Sequence, residues 1–188
     1  MNDAIVEGWY LPARRRQSPN YDARPDPTDI SLLVIHNISL PPGEYGGGYI
    51  EDFFCNELDC GCHPWFDRLR ELKVSAHLLI DRQGRPCQFV PFHLRAWHAG
   101  ESCFAERGDC NDFSIGVELE GSDNETYTEQ QYASLVRLTR VLLRVYPAIT
   151  PARISGHSDI APQRKTDPGP AFDWRYYRNQ IEQGDSES

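Results

Sequence analysis

The chain has 188 residues, of which 39% are hydrophobic and 25% are charged, and these fractions are typical of a single globular domain with a real core. Its formal net charge of −9 argues against nucleic acid and membrane surfaces as partners, because both attract basic faces. The densest apolar run, residues 32–35, is far too short to span a membrane.

The N-terminal residues have no basic start followed by a long apolar stretch, so no secretion signal is predicted there. We therefore expect a cytoplasmic protein, in which the six cysteines remain free thiols. Within a single domain of residues 1–188, residues 1–29 are expected to form an irregular arm, because residues 14–29 are rich in Pro, Arg and Asp. Residues 184–188 are expected to be a frayed tail.

The first half of the chain contains one strand signal and one hairpin signal. Residues 30–38 are nearly continuously apolar and include β-branched side chains, which predicts a strand buried on both faces. A short helix is predicted around residues 48–56. Residues 76–81 and 87–91 flank a turn in which Gly84 supplies a positive φ, and this pattern predicts a β-hairpin.

A further strand is predicted at residues 114–121, where aliphatic side chains alternate with others. One face carries Ile115, Val117 and Leu119, and the other carries Gly116, Glu118 and Glu120.

The main helices are predicted late in the chain. Thr128 and Gln131 fit a capping box, and Pro147 stops the helix that follows. The apolar positions at helical spacing are Tyr132, Leu135, Val136, Thr139, Leu142, Leu143 and Tyr146. A last helix is predicted from Asp173, with Trp174, Tyr177 and Ile181 on its inner face. This order of elements predicts an α/β (α+β) fold, a single domain in which a central mixed β-sheet is flanked by α-helices.

Residues 156–170 are rich in Gly and Pro and are predicted to form a rigid loop that carries His157, Lys165 and Asp167. Such a loop is either an ordinary polar surface or a site, since loops on a rigid scaffold often carry function. His36 lies near the end of the first strand, either as a hydrogen-bonded core residue or as part of a site beyond the strand end.

Together, His36, His157 and Asp167 are a plausible set of three metal ligands, which would leave a fourth position open as in hydrolytic zinc sites. Lys165, two residues before Asp167, would then point to the same side and stabilise an oxyanion. Glu118 is either a solvated carboxylate or a general base whose pKa is raised by partial burial; strand alternation cannot separate the two.

Two rival metal patterns are present. His157 and Asp159 have the spacing of a non-haem iron triad, but no later histidine completes it. Cys60, Cys62 and His63 look like a fragment of a structural zinc site, but no second Cys/His pair stands at the usual distance. His98 is expected to line a cleft.

Five segments in chain order resemble one known family: residues 33–43, 74–77, 95–100, 111–121 and 156–169. They are similar to the cytoplasmic anhydro-muramyl-L-alanine amidases of cell-wall recycling, the AmpD type. These belong to a larger amidase group that includes phage lysozyme-like amidases and peptidoglycan recognition proteins.

The resemblance implies one zinc ion per chain on His36, His157 and Asp167, with Glu118 as the base that activates water and Lys165 as the oxyanion stabiliser. The positions implied to line the substrate cleft are Asn37, Lys73 and Trp97. Some relatives use Cys in place of the third ligand. The implied reaction is hydrolysis of the amide between the lactyl group of anhydro-N-acetylmuramic acid and L-alanine of the stem peptide.

We expect a monomer. The resemblance also implies that it binds a small muropeptide and, in Gram-negative bacteria, removes the inducers of chromosomal β-lactamase. Two departures concern substrate contacts: Lys73 and Asp109 stand where some relatives have Arg, so one anion contact is either missing or moved to Arg107. Two other functions remain open. One is a module that binds without hydrolysis, although the complete ligand set favours catalysis; the other is a periplasmic wall hydrolase, which the absence of an export signal disfavours.

Overall fold

The computed structural model describes residues 4–183. Its strands are β1 (Ile5–Val6), β2 (Trp9–Tyr10), β3 (Arg14–Arg15), β4 (Tyr21–Ala23), β5 (Leu32–Ile38), β6 (Leu78–Ile80), β7 (Pro86–Gln88), β8 (Leu94–Ala96), β9 (Cys103–Phe104), β10 (Arg107–Gly108), β11 (Ser114–Glu120) and β12 (Ile154–Gly156). The α-helices are α1 (Tyr49–Phe54), α2 (Glu129–Val145), α3 (His157–Ile160) and α4 (Trp174–Gln183). Short 3-10 helices lie at Pro64–Leu69, Cys110–Asp112 and Pro151–Arg153.

A six-stranded sheet in the order β12-β5-β11-β6-β7-β3 forms the centre of the molecule. The strands β12, β5, β11 and β6 are parallel neighbours, whereas β6 and β7 form the predicted antiparallel hairpin. The predicted mixed sheet is therefore confirmed. All residues of β11 are buried, including Glu118 and Glu120, since the strand lies between two parallel neighbours and is covered on both faces.

Helices cover both faces of the sheet. On one face, Val117 and Leu119 of β11 belong to a core that also contains Leu135 of α2 and Tyr177 of α4. The other face packs Leu79 and Phe89 against α1 and the 3-10 helix Pro64–Leu69. Because side chains alternate along β11, Gly116 and Glu118 point away from α2, as the sequence predicts.

The predicted capping box begins α2. The Thr128 hydroxyl accepts a hydrogen bond from the Gln131 N–H at 3.1 Å, and the Gln131 side chain accepts one from the Thr128 N–H at 3.1 Å. The helix ends at Val145, before Pro147, and α4 begins at Trp174. The predicted start and end of α2 are confirmed, and α4 begins one residue after the predicted Asp173.

Removing this cap gives the first testable outcome. Thr128→Ala leaves the N-terminal N–H of α2 without its side-chain acceptor, and we expect the free energy of unfolding to fall by about 1 kcal/mol. Urea unfolding followed by circular dichroism measures the change. Thr126→Ala is the matched control, because Thr126 is exposed and lies outside the cap. Equal stabilities of the two variants would contradict a stabilising cap.

The N-terminal segment differs from the expected irregular arm. Residues 5–23 contain β1 to β4; β3 pairs with β7 at the edge of the central sheet, and β4 pairs with β8. Each of these two pairings joins residues more than 70 positions apart, so local composition carries no signal for them. The expected tail, residues 184–188, lies outside the described residues.

The predicted loop and the expected absence of a membrane span can both be compared with the structure. The predicted loop of residues 156–170 begins as one helical turn, α3, because the Asp159 carboxylate accepts a hydrogen bond from the Gly156 N–H at 2.8 Å and so caps that turn. Among residues 4–183, no helix combines the length and the apolar character needed to cross a membrane.

Candidate metal centre

Three candidate ligands meet at the carboxyl ends of neighbouring parallel strands. His36 lies near the end of β5, and His157 directly follows β12, whose Gly156 pairs with Ile35. Asp167 returns to the same edge from the loop after α3, where its carbonyl accepts a hydrogen bond from the Ser158 N–H at 2.9 Å. The fold therefore places the three side chains at the strand ends and the C-terminal loop, where the sequence predicts the site.

The donor atoms of these side chains are close enough for a single ion. His36 Nδ1 lies 2.9 Å from His157 Nδ1, and each nitrogen lies 3.1 Å from Asp167 Oδ2. A tetrahedral zinc site with bonds of about 2.1 Å has donors about 3.4 Å apart. The three atoms thus approximate one face of such a tetrahedron, and the group could hold a metal ion.

The opposite ring nitrogens of both histidines have hydrogen-bond partners. His157 Nε2 lies 3.0 Å from the carbonyl oxygen of Ala99 and must donate to it, so in the neutral imidazole Nδ1 carries the lone pair. His36 Nε2 lies 2.9 Å from Nδ1 of His98, which can accept its proton. These contacts favour the tautomers whose Nδ1 lone pairs face Asp167, as metal binding requires.

The electrostatics favour the same protonation state. Burial lowers the pKa of His36 to about 4, so its imidazole is neutral at neutral pH. For Asp167, burial raises the pKa, but hydrogen bonds with His157 and His36 outweigh burial and hold the pKa below its usual value. Neutral imidazoles beside an ionised carboxylate are the forms that bind a divalent cation.

These buried histidines predict how the metal-free fold responds to acid. Burial lowers the pKa values of His36, His77 and His98 below 6.5. Below that pH the unfolded chain takes up protons that the folded chain does not, so stability is complete above 6.5 and falls as the pH decreases. Each histidine contributes up to about 1.4 kcal/mol per pH unit.

Urea unfolding of the metal-free protein between pH 7 and pH 5 measures this slope. His77→Gln removes one buried imidazole and should flatten the slope, whereas His93→Gln removes an exposed one and serves as the control. Because the raised pKa of Glu118 acts in the opposite direction, the difference between the two slopes is the test: equal slopes in His77→Gln and in the wild-type protein would exclude the buried His77 as a cause.

Glu118 lies beside the three candidate ligands. It is paired in register with His36 across the β11–β5 ladder, and its side chain is buried. Burial first, and then the charge of Asp167, raise its pKa well above the usual value, although Lys165 opposes the shift. Among the described residues its Oε2 atom has no hydrogen-bond partner, so this carboxyl group is available to a bound molecule.

A cleft connects these groups with apolar side chains. Glu118, Lys165 and Asp167 line it, together with the predicted Asn37 and Trp97 and the expected His98. Lys73 is exposed and does not line this cleft, although its neighbours Leu72 and Val74 do.

Sequence reasoning missed an apolar wall of this cleft. Its members come from α1, from the 3-10 helix Pro64–Leu69 and from the segment after it: Phe53, Phe54, Trp65, Leu69 and Leu72. One signal for this wall is present in the sequence, because Leu72 is a large apolar residue between charged neighbours. In the structure Leu72 is 50% exposed.

The rival metal patterns have other partners in the structure. Asp159 caps α3 through the Gly156 N–H. In the other fragment, His63 Nδ1 accepts the Trp65 N–H at 3.1 Å, and Cys62 Sγ lies 3.4 Å from an Asp59 oxygen. Asp159 therefore belongs to a helix cap, and Cys62 and His63 have hydrogen-bond partners within their own turn.

Comparison with known proteins identifies the family. A family model described as N-acetylmuramoyl-L-alanine amidase matches residues 26–170. The chain is 54% identical over 177 residues to the 1,6-anhydro-N-acetylmuramyl-L-alanine amidase AmpD of Haemophilus influenzae, covering 94% of this chain and 96% of that protein.

Two solved structures are also similar. A crystal structure of an AmpD selenomethionine derivative superposes with a TM-score of 0.92 at 53% identity, covering 94% of this chain and 98% of the other. The Escherichia coli amidase AmiD, solved with the substrate anhydro-N-acetylmuramic acid-L-Ala-D-gamma-Glu-L-Lys, has a TM-score of 0.61 at 30% identity over 88% of this chain and 60% of its own. These matches confirm the resemblance found in the sequence, and the chain belongs to the N-acetylmuramoyl-L-alanine amidase family.

Proposed function

We propose that this chain is a zinc-dependent amidase of peptidoglycan recycling. It hydrolyses the amide between the lactyl group of anhydro-N-acetylmuramic acid and L-alanine of the stem peptide. The observation that carries the proposal is the convergence of His36, His157 and Asp167, with donor atoms no more than 3.1 Å apart, beside the buried carboxyl group of Glu118. The similarity to proteins named AmpD supports this substrate.

His36, His157 and Asp167 hold one zinc ion per chain in this proposal. Two imidazoles and one carboxylate are a donor set that suits zinc and leaves room for the reactants. Zinc held there would act as a Lewis acid, polarising the scissile carbonyl and lowering the pKa of the attacking water.

Glu118 acts as the general base and then as the proton donor to the leaving amine. Its raised pKa suits this role, because a catalytic base works best when its pKa approaches the working pH. The unpaired Oε2 atom is the acceptor of the proton from water. Lys165 lines the same cleft and stabilises the negative charge that develops on the carbonyl oxygen.

Substrate contacts are proposed at Asn37, Trp97 and Lys73. The indole Nε1 of Trp97 is buried and has no hydrogen-bond partner among residues 4–183, which suits a donor to the substrate. Lys73 is exposed between Leu72 and Val74, which line the cleft, and its proposed contact is with the outer part of a bound muropeptide. Arg107 stacks on Phe113 at 3.9 Å and pairs with Asp29, so an anion contact moved from position 109 to Arg107 would compete with these partners.

We further propose that the 188 residues form one amidase domain that works as a monomer in the cytoplasm. By removing muropeptide inducers, the enzyme would indirectly limit the induction of β-lactamase.

The test combines metal analysis with a choice of substrates. The purified protein should contain one zinc ion per chain and should release L-alanyl peptide from an anhydro-muropeptide much faster than from polymeric peptidoglycan. Removing zinc with a chelator should abolish cleavage, and adding zinc should restore it. Full activity in protein that remains free of metal would refute the zinc role, and preference for the polymer would refute the recycling role.

A further inference from the structure

The adjacent residues His98 and Ala99 each contact one of the two candidate ligand histidines, through the ring nitrogen that does not face Asp167. His98 Nδ1 lies 2.9 Å from His36 Nε2, and the Ala99 carbonyl oxygen lies 3.0 Å from His157 Nε2. The orientation of both imidazoles therefore depends on the position of one dipeptide, although His36 and His157 are 121 residues apart in the sequence.

The side chain of Asn111 holds this dipeptide. Its Oδ1 atom accepts hydrogen bonds from the backbone N–H of His98 at 3.0 Å and from that of Ala99 at 2.8 Å. The two donors use both lone pairs of a single buried amide oxygen. Any movement of this oxygen therefore changes the contacts of His98 and Ala99 together.

Asn111 is itself anchored from another direction. It lies in the 3-10 helix Cys110–Asp112, and the buried guanidinium of Arg24 donates to the carbonyl oxygens of Asn111 and Asp112, each at 3.0 Å. The amide oxygen is therefore presented from a rigid base. Such rigidity is what a group needs to fix the position of its neighbours.

The ring of His98 is confined on the sheet side as well. A Cβ atom at Gly116 of β11 would lie 2.4 Å from the His98 ring, so only glycine at this position lets the ring lie against the strand. His98 Nε2 lies 3.1 Å from the Ser114 hydroxyl and can donate to it, and in that tautomer Nδ1 accepts the proton of His36.

We propose that Asn111 is a positioning residue that orients His36 and His157 through the His98–Ala99 dipeptide. This inference rests on the proposed function, because it takes the two imidazoles to be zinc ligands. Removing a hydrogen-bond partner of a metal-bound histidine typically weakens metal binding by about 10- to 100-fold. Here one side chain controls the partners of two ligands.

The test compares Asn111→Leu, which has a similar volume but no acceptor, with Asn111→Asp, which keeps an acceptor oxygen. We expect the dissociation constant for Zn²⁺, measured by competition with a chromophoric chelator, to rise about 10- to 100-fold in N111L and to stay near the wild-type value in N111D. Thr139→Val is the control for general loss of stability, because it removes a buried hydrogen bond to Tyr177 between α2 and α4.

A second readout needs neither zinc nor activity. In the metal-free wild-type protein, the ¹⁵N shifts of the imidazoles should report protons on Nε2 of both His36 and His157, and N111L should show mixed tautomers. Wild-type zinc affinity and tautomers in N111L would overturn the proposal, as would an equal loss of affinity in N111D. If N111L does not fold, Asn111→Ala takes its place. Failure of the wild-type protein to bind zinc would instead refute the proposed function, while the tautomers would still test Asn111.

Discussion

Glu118→Gln is expected to lower kcat by about 10²- to 10⁴-fold, whereas the zinc content stays at one ion per chain. The amide has nearly the shape of the carboxyl group but cannot accept a proton from water. Among the described residues that line the cleft, the only other carboxylate is Asp167, which is assigned to the metal, so no neighbouring carboxylate replaces the lost base. The loss should therefore appear in kcat rather than in metal binding.

The control for this variant lies on the same strand and face. Glu120 is also buried, but its carboxylate accepts hydrogen bonds from the N–H groups of Gly46 and Arg82 and does not line the cleft. Glu120→Gln should retain the kcat of the wild-type enzyme, with unfolding curves recorded for both variants. Wild-type turnover in Glu118→Gln would assign the base to another group.

The pH profile separates a base from a merely structural carboxyl group. A base must be ionised to act, so the activity of the wild-type enzyme should fall as the pH decreases through the raised pKa of Glu118. In Glu118→Gln the small remaining activity should lose this dependence. An unchanged profile would contradict the assignment even if kcat fell.

The position of Glu118 shows how far sequence reasoning extends. Alternation along β11 predicts that Glu118 and Glu120 share a face, and the structure agrees. Alternation does not determine what covers that face. The parallel pairing of β11 with β5, which places Glu118 opposite His36, makes this carboxyl group part of the site.

The features that sequence reasoning did not predict depend on contacts between distant segments. Strand β3 exists because Arg14 and Arg15 pair with Cys87 and Gln88. Asn111 lies in a recognised motif, but its role appears only when its side chain meets the N–H groups of His98 and Ala99. No local periodicity reports such contacts, whereas capping boxes and buried strands leave local patterns.

Asp167→Ala is expected to have the other large effect, loss of zinc. If three protein ligands share a binding free energy of about 10 kcal/mol or more, removing one costs about 3 kcal/mol or more, which is at least about 100-fold in affinity. His36 and His157 remain, and the neighbouring partners His98 and Ala99 still orient them. The variant should therefore fold, bind zinc weakly and show activity only at high zinc concentration.

Two further substitutions determine whether the lost ligand is the cause. Asp167→Cys should retain most of the zinc affinity, because a thiolate is also a zinc ligand and the resemblance to related amidases places Cys at this position. Asp159→Asn alters a neighbouring carboxylate that caps α3 and should leave zinc binding unchanged. Chelator competition measures all three affinities. If Asp167→Ala bound zinc as tightly as the wild-type protein, the carboxylate would not be a ligand; if Asp159→Asn lost zinc equally, the effect would belong to the loop. If Asp167 is a ligand, zinc affinity depends on the donor atom that residue 167 supplies. Ala supplies no donor and Cys supplies a thiolate, whereas the surrounding fold is the same in both variants, so a difference in affinity between them belongs to the donor atom.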